Sequence, residues 1–101
     1  MSTRGEDARR ERRAALRQEL YERVKAGDLD LAEAVRMMRK VAGKSQAEYA
    51  KLVGISPRVL IDFERGVGNP TLATMRKLLE PFGLALTVRR RGQPIPPEFR
   101  S

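Results

Sequence analysis

Residues 46–66 constrain the fold of this chain more than any other stretch, because they hold start and stop signals for two short helices. QAEYAKLV (Gln46–Val53) predicts the first helix, and Gly54 predicts a tight turn after it. Ser56 is the expected N-cap of the second helix and Pro57 its first residue, since proline lacks only an N–H that would be unpaired there. The stretch therefore predicts two helices that meet at a glycine turn.

Two helices joined in this way form a helix-turn-helix, which places its second helix in the major groove of DNA. The charge of the chain agrees with that interpretation. Lys and Arg number 21 against 13 Asp and Glu, and residues 36–91 hold the whole net charge of +8 with twelve basic and four acidic side chains. Because a localised positive charge favours a polyanion, double-stranded DNA is the expected partner. A general nucleoid or RNA binder, with little sequence preference, is an alternative.

The composition excludes several other classes of protein. A length of 101 residues suits one small domain, and the absence of Cys and His removes thiolate chemistry, the usual general base and the commonest metal ligand. We therefore expect no enzyme, no cofactor and no metal site. No apolar run approaches the roughly 20 residues of a membrane span, and the charged N-terminus leads into no signal peptide. A cytoplasmic protein without a membrane partner, nucleoid-associated when bound to DNA, is expected.

The first third of the chain predicts a helix over residues 6–25 that ends near Gly27. Its apolar positions recur at i, i+4 and i+8: Leu16, Leu20 and Val24. Residues 6–13 are nearly all charged and are expected to be frayed or solvated. A helix that packs over the core is favoured, because interleaved acidic residues cancel much of the local positive charge. A dimerisation arm or a DNA-backbone arm is the alternative, and the latter would use Arg9, Arg10, Arg12 and Arg13.

The remaining helices are predicted from their caps. Asp30, with Glu33 three residues later, predicts a capping box for Leu31–Ala42, which Gly43 ends. Ser45 and Glu48 form a second such pattern before Gln46–Val53. Thr71 is the expected cap of a last, amphipathic helix, which Pro81 and Gly83 end and whose apolar positions are Leu72, Met75, Leu78 and Leu79. The fold class is therefore an all-α helix-turn-helix domain of about five helices, including an extra N-terminal helix.

Residues 84–88 (LALTV) predict one short strand, because large apolar side chains alternate with smaller ones. A single strand leaves its backbone groups unpaired, so we expect it to pair with the same strand of a second copy in a homodimer. Its interface residues would be Leu84, Leu86 and Val88. An irregular segment packed on the core is the alternative. The expected organisation is an N-terminal segment (1–28), the helix-turn-helix domain with its strand (29–88) and a basic, Pro-rich tail (89–101).

From about Leu31 to Val88 the chain resembles the Xre/lambda-repressor-like helix-turn-helix family. The matching motifs occur in the family's order and spacing: Arg39, Gly43, Ser45-Gln46, Tyr49-Ala50, Gly54-Ile55-Ser56, Phe63-Glu64-Arg65-Gly66 and Asn69-Pro70-Thr71-Leu72. A short last helix followed by a strand is similar to the HipB-like branch, which contains antitoxins and autorepressors whose dimers share a β-ribbon. The N-terminal helix is an addition to the family pattern.

The resemblance implies roles for individual residues. Base contacts would come from the second motif helix: Pro57, Arg58, Val59, Ile61 and Asp62. Phosphate contacts would come from loops and helix N-termini: Lys44, Ser45, Gln46, Arg65, Asn69 and Thr71. Arg39 and Glu64 match a structural ion pair of the family. Arg58 could pair with guanine O6 and N7, and Asp62 could accept from cytosine or orient Arg58. The family more often has polar residues at Val59 and Ile61, which could instead face protein.

Two functions remain open at this point. The first is a dimeric, sequence-specific transcriptional repressor that acts on a palindromic operator and regulates its own operon. The second is an antitoxin whose main role is to bind and neutralise a toxin protein. The two are compatible, because antitoxins of this type usually repress their own operon.

Overall fold

The computed structural model describes residues 3–27 and 29–88, and this part of the chain is helical. Its α-helices are α1 (Thr3–Ala26), α2 (Leu31–Ala42), α3 (Gln46–Val53), α4 (Pro57–Glu64) and α5 (Leu72–Leu79), followed by a 3₁₀ turn (Glu80–Phe82). The prediction of an all-α domain of five helices is confirmed for these residues. Within the described residues, no helix combines the length and the apolar character that crossing a membrane would require.

Side-chain caps begin each of the three helices that follow α2. Ser45 accepts from the backbone N–H of Glu48, whose carboxylate in turn accepts from the Ser45 N–H at 2.8 Å, so the predicted capping box is present. Ser56 caps α4 with Pro57 in its first turn, and Thr71 caps α5. These local bonds satisfy N–H groups that a helix cannot pair internally, which explains why short sequence signals located the helices correctly.

The cap of α2 is only half of the predicted capping box. Asp30 accepts from the backbone N–H of Glu33 at 2.9 Å, as expected. The Glu33 carboxylate, however, bonds Arg23 of α1 at 2.9 Å instead of returning to the Asp30 N–H. A charged partner on a neighbouring helix outcompetes a neutral backbone donor, because charge-assisted hydrogen bonds are the stronger ones.

The helices enclose one aliphatic core around the Tyr49 ring. Its buried members come from all five helices: Leu20, Ala34, Val35, Met38, Tyr49, Ala50, Leu60, Phe63, Leu78 and Leu79. Ala50 is fully buried in α3, where its small side chain permits close packing. Leu72, one of the apolar positions of the predicted last helix, is 50% exposed in the first turn of α5.

The C-terminal half of α1 packs against the rest of the domain. Leu20 is fully buried, and the Tyr21 hydroxyl donates to the Phe82 carbonyl at 3.0 Å. The packing role that the sequence favoured for this helix therefore holds for its second half. Residues 6–13, expected to be frayed or solvated, are helical and mostly exposed.

Residues 84–88 form no strand within the described part of the chain. Leu84 packs partly on the core, whereas Leu86 is exposed and Val88 is 94% exposed. A strand requires a ladder partner, which a single chain does not supply at this position. The predicted tail, residues 89–101, lies outside the described residues.

Candidate nucleic-acid interface

Helix α4 has one side in the core and one side in solvent. Leu60, Phe63 and Glu64 are buried and anchor the helix. The predicted base-contacting residues lie on the other side, where Pro57, Arg58 and Val59 are exposed and Ile61 and Asp62 are half-buried. The structure therefore brings all five predicted residues to one accessible surface of α4.

Arg58 and Asp62 form an ion pair along the outer surface of α4. Arg58 Nε lies 3.6 Å from Asp62 Oδ1, and the Arg58 side chain is 76% exposed. An exposed pair of this kind contributes little to stability, so it can open at small energetic cost when a base presents better partners. The geometry allows Asp62 to orient the guanidinium group of Arg58 before DNA arrives.

Glu64 is the buried charged residue on the inner side of α4, and its side chain is only 3% exposed. Arg39 of α2 bonds both of its carboxylate oxygens, at 2.8 and 3.0 Å. Gln46 of α3 donates to one of them at 3.2 Å, and Arg36 donates to the Glu64 backbone carbonyl. Because a buried carboxylate must be paired, these bonds hold α2, α3 and the end of α4 in one arrangement.

Arg39 also connects this cluster to the loop before α3. Its Nη1 donates to the Lys44 carbonyl at 3.2 Å. One guanidinium group thus links the C-terminal end of α4 to the segment that precedes Gln46. The position of the predicted phosphate-contacting loop relative to α4 is set by this side chain.

The predicted phosphate-contacting residues flank α4 on both sides. Three lie at the start of α3, where Lys44 and Ser45 are exposed and Gln46 already donates to Glu64. The other three, all exposed, lie after α4 and before α5: Arg65, Asn69 and Thr71. The loop that carries Asn69 approaches α4, because a Cβ on Gly68 would lie 3.7 Å from the Asp62 Cβ.

Two contacts of this cluster were not expected from the sequence. Arg36 bonds the Glu64 carbonyl, and Gln46 bonds the Glu64 carboxylate. Helical spacing could have suggested the first, since Arg36 precedes Arg39 by three residues on the same face of α2. No local signal could have suggested the second, because it depends on how α3 crosses α4.

Two ionisable groups near the interface have shifted pKa values. The backbone N–H of Ser45 donates to Glu48 and lowers the pKa of that carboxyl, which keeps it ionised at the N-terminus of α3. Burial raises the pKa of Tyr49 to about 12, and its hydroxyl donates to the Leu78 carbonyl at 2.8 Å. Tyr49 therefore stays neutral and joins α3 to α5 behind the interface.

The predicted dimer residues lie outside this surface, in the segment after the 3₁₀ turn. Leu84 and Leu86 line an open groove of about 510 Å³, together with Arg76, Leu79 and Glu80. Leu84 is half-buried against the core, whereas Val88 extends into solvent.

Comparison with known proteins assigns this arrangement to a family. A helix-turn-helix family model matches residues 35–88, more than half of the chain. Antitoxin HipB from Escherichia coli K12 is 36% identical over 58 residues, and Antitoxin HipB from Escherichia coli O6:H1 strain CFT073 is 34% identical over 58 residues. Each match covers 57% of this chain.

The matched segment covers just under two thirds of the curated relatives' own length, 66% and 62% respectively. No solved structure gives a significant match. The predicted family resemblance is confirmed over the segment that contains α3, the glycine turn and α4. The chain belongs to the Xre-like helix-turn-helix family of DNA-binding proteins and is similar to the HipB antitoxins over this domain.

Proposed function

We propose that this protein is a sequence-specific transcriptional repressor that binds double-stranded operator DNA as a dimer. The observation that carries the proposal is the outer surface of α4, where Arg58 is 76% exposed and paired only loosely with Asp62. An arginine held in this way is suited to a bidentate contact with guanine O6 and N7 in the major groove. Val59 beside it, 38% exposed, offers an apolar contact for a thymine methyl group.

Phosphate contacts on both sides of α4 would hold the helix in the groove. Lys44 and Ser45 precede α3, and Asn69 and Thr71 precede α5, so both flanks of α4 present exposed polar groups. The Gln46 amide donates one N–H to Glu64 and keeps a second N–H that can donate to a phosphate, while its carbonyl oxygen can accept from an ordered water. Such contacts supply affinity and register, whereas Arg58 and its neighbours supply sequence preference.

Selection of bound sites from random duplex DNA tests this proposal. We expect a pseudo-palindrome with half-sites about one helical turn apart, since a two-fold dimer presents two copies of α4. The logarithm of the binding constant should fall with log salt by about 0.9 per phosphate contact. Equal affinity for the selected site and for shuffled duplexes at physiological salt would reject the repressor and favour a general nucleic-acid binder.

The dimer proposed here uses the segment 84–88 as an antiparallel ribbon between two copies. One feature of the single chain supports it: the apolar side chains of Leu86 and Val88 remain exposed, next to a Leu84 whose own N–H donates to the Leu79 carbonyl. A second copy would pair the backbone and cover these side chains at once. The groove beside Leu84 and Leu86 would receive part of the partner's segment.

Substitution of Leu86 by proline tests the ribbon. Leu86→Pro removes an N–H donor and restricts φ, so the protein should become more monomeric and lose operator affinity while its helices persist. The matched control is Leu52→Ser, which removes an exposed leucine from α3 instead. In sedimentation, Leu86→Pro should be more monomeric than the wild type, whereas Leu52→Ser should keep the oligomeric state of the wild type. A wild-type protein that is already monomeric at tens of micromolar would reject the ribbon.

The similarity to HipB antitoxins supports a second function, the neutralisation of a toxin protein. Such a chain would also repress its own operon, so the two functions are compatible. Co-expression with the adjacent reading frame tests it: the chain should restore growth that the neighbouring product stops. Restored growth by an Arg58→Ala variant would show that neutralisation does not require base contacts.

A further inference from the structure

The N-terminal half of α1 carries a stripe of cations that the core does not use. Arg9, Arg12, Arg13 and Leu16 stand at i, i+3, i+4 and i+7, which places them on one face of the helix. The same face of α1 carries Leu16 and Leu20 toward its C-terminal end, whereas toward its N-terminal end it carries arginines. Something other than the core must therefore account for these positions.

The acidic residues of this segment lie mainly on the other face. Asp7 and Glu11 are each two positions from Arg9, about 160° around the helix. Asp7 pairs there with Arg10 at 4.0 Å. Glu6 lies at the edge of the stripe, one turn nearer the N-terminus. Basic and acidic residues alternate along the sequence of this segment. In the helix they separate into one basic face and one face that carries both charges.

The basic stripe faces the C-terminal end of α2. A cleft of about 200 Å³ lies between the two helices. Among the described residues no carboxylate lines it, and its lining is Arg9, Arg12, Arg13, Leu16, Lys40 and Gly43. The stem of Arg13 passes close to Gly43, since a Cβ there would lie 3.6 Å from the Arg13 Cδ. No ion pair within residues 3–27 and 29–88 involves any of these four cations.

The cleft lies beside the proposed phosphate contacts. Gly43 precedes Gln46 by three residues, a span of at most about 11 Å. Lys44, between them, is exposed. The cations that line the cleft therefore lie close to the start of α3.

We propose that the basic stripe of α1 binds the DNA phosphate backbone next to the half-site contacted by α4. The inference rests on the proposed DNA-binding function and extends it to a helix outside the family-matched residues 35–88. Four cations with no carboxylate partner among the described residues favour a polyanion, and their closeness to Lys44 and Gln46 favours phosphates of the same duplex. The stripe adds affinity and salt dependence without sequence preference.

Two triple variants with equal charge change test the proposal. The stripe variant is Arg9→Gln, Arg12→Gln and Arg13→Gln, and the control is Arg4→Gln, Arg10→Gln and Arg17→Gln on the other faces of α1. Glutamine keeps a helix propensity close to that of arginine. Affinity for a random-sequence 30-base-pair duplex is measured from low to physiological salt, and helix content is checked by circular dichroism.

The slope of log affinity against log salt should become shallower by up to about 2.7 per bound protomer in the stripe variant, or about 0.9 per lost phosphate contact. The control slope should stay close to that of the wild type. Lysine at all three stripe positions should restore the slope, because it retains the charge. If the triple glutamine variant does not fold, single glutamine variants at Arg9 and Arg12 should each make the slope shallower by about 0.9 per bound protomer.

Equal slopes in the stripe and control variants, with wild-type binding intact, would overturn this inference and leave the repressor proposal standing. An acidic protein would then be the better occupant of the cleft. A wild-type protein that binds no duplex at all would overturn both proposals.

Discussion

The two sides of α4 each carry an arginine–carboxylate pair, and the pairs differ in almost every physical respect. On the inner side, Arg39 bonds both oxygens of Glu64, the nearer at 2.8 Å, and that carboxylate is 3% exposed. On the outer side, Arg58 lies 3.6 Å from Asp62 and is 76% exposed. The inner pair joins α2 to α4, and Gln46 of α3 donates to the same carboxylate, whereas the outer pair lies within a single helix.

Burial explains why the same chemistry serves two purposes. Removing one partner of a buried pair leaves an uncompensated charge in a low-dielectric site, so such a pair is strongly required by the fold. An exposed pair is screened by water and salt and contributes little to stability. The outer pair is therefore free to serve binding, whereas the inner pair is required for folding.

The largest expected effect comes from breaking the inner pair. Arg39→Met should lower the free energy of unfolding by about 3–5 kcal/mol, because Glu64 remains buried without its main partner. Urea denaturation measures the loss. The double variant Arg39→Met, Glu64→Leu should recover most of it, since apolar residues of similar size carry no desolvation penalty. A single-variant loss below about 1 kcal/mol would contradict the structural role of the pair.

The outer pair should show the reverse pattern. Arg58→Ala should weaken binding to the selected DNA site by about 1–3 kcal/mol and relax selectivity at one base pair per half-site. Its free energy of unfolding should change by less than about 0.5 kcal/mol. Titration of the variant with the selected and the shuffled duplexes shows whether Arg58 contacts a base or only phosphate. Equal losses on both duplexes would mean that Arg58 contacts only phosphate.

The buried Tyr49 of α3 makes a further interaction behind α4 that the fold requires, a hydrogen bond from its hydroxyl to the Leu78 carbonyl. Tyr49→Phe should cost about 1 kcal/mol at pH 7, because the buried Leu78 carbonyl loses its donor. Tyr21→Phe is the control, with a smaller loss expected because its hydroxyl is exposed and water can replace it.

The same variant has a pH dependence of known sign. Burial raises the pKa of Tyr49 from 10.0 to about 12, so between these values the unfolded chain releases this proton and the folded chain keeps it. Wild-type stability should therefore fall as pH rises through that window. The difference in the free energy of unfolding between wild type and Tyr49→Phe should become smaller as pH rises through this window. A difference that stays constant would contradict the effect of burial on the pKa of Tyr49.

The smallest effect on stability is expected at Asp62. Asp62→Asn should change the free energy of unfolding by less than about 0.5 kcal/mol, since the pair it breaks is exposed. Its effect on selectivity distinguishes two roles. If Asp62→Asn relaxes the preference at the same base pair as Arg58→Ala does, Asp62 orients Arg58. If it relaxes the preference at another base pair, Asp62 contacts cytosine directly.

Local signals in the sequence were sufficient to locate the helices. Asp30, Ser45, Ser56 and Thr71 each cap the helix they were predicted to cap. Caps depend on bonds between residues two or three positions apart, so they can be recognised without knowledge of the fold. Periodicity put Leu72 on the apolar face of α5, but periodicity does not show how far the core extends along that face, and Leu72 is 50% exposed.

The sequence by itself determined five helices, the glycine turn and the membership of a helix-turn-helix family. Only the tertiary structure decided which charges are buried and which remain free. Burial of Glu64 required Arg36 and Arg39 from α2 and Gln46 from α3 to meet at one point. Arg9, Arg12 and Arg13 of α1 form a separate basic stripe only because the helix places them on one face, next to Gly43 at the end of α2. Charges interact through space, so their partners depend on packing between elements that are distant in the chain.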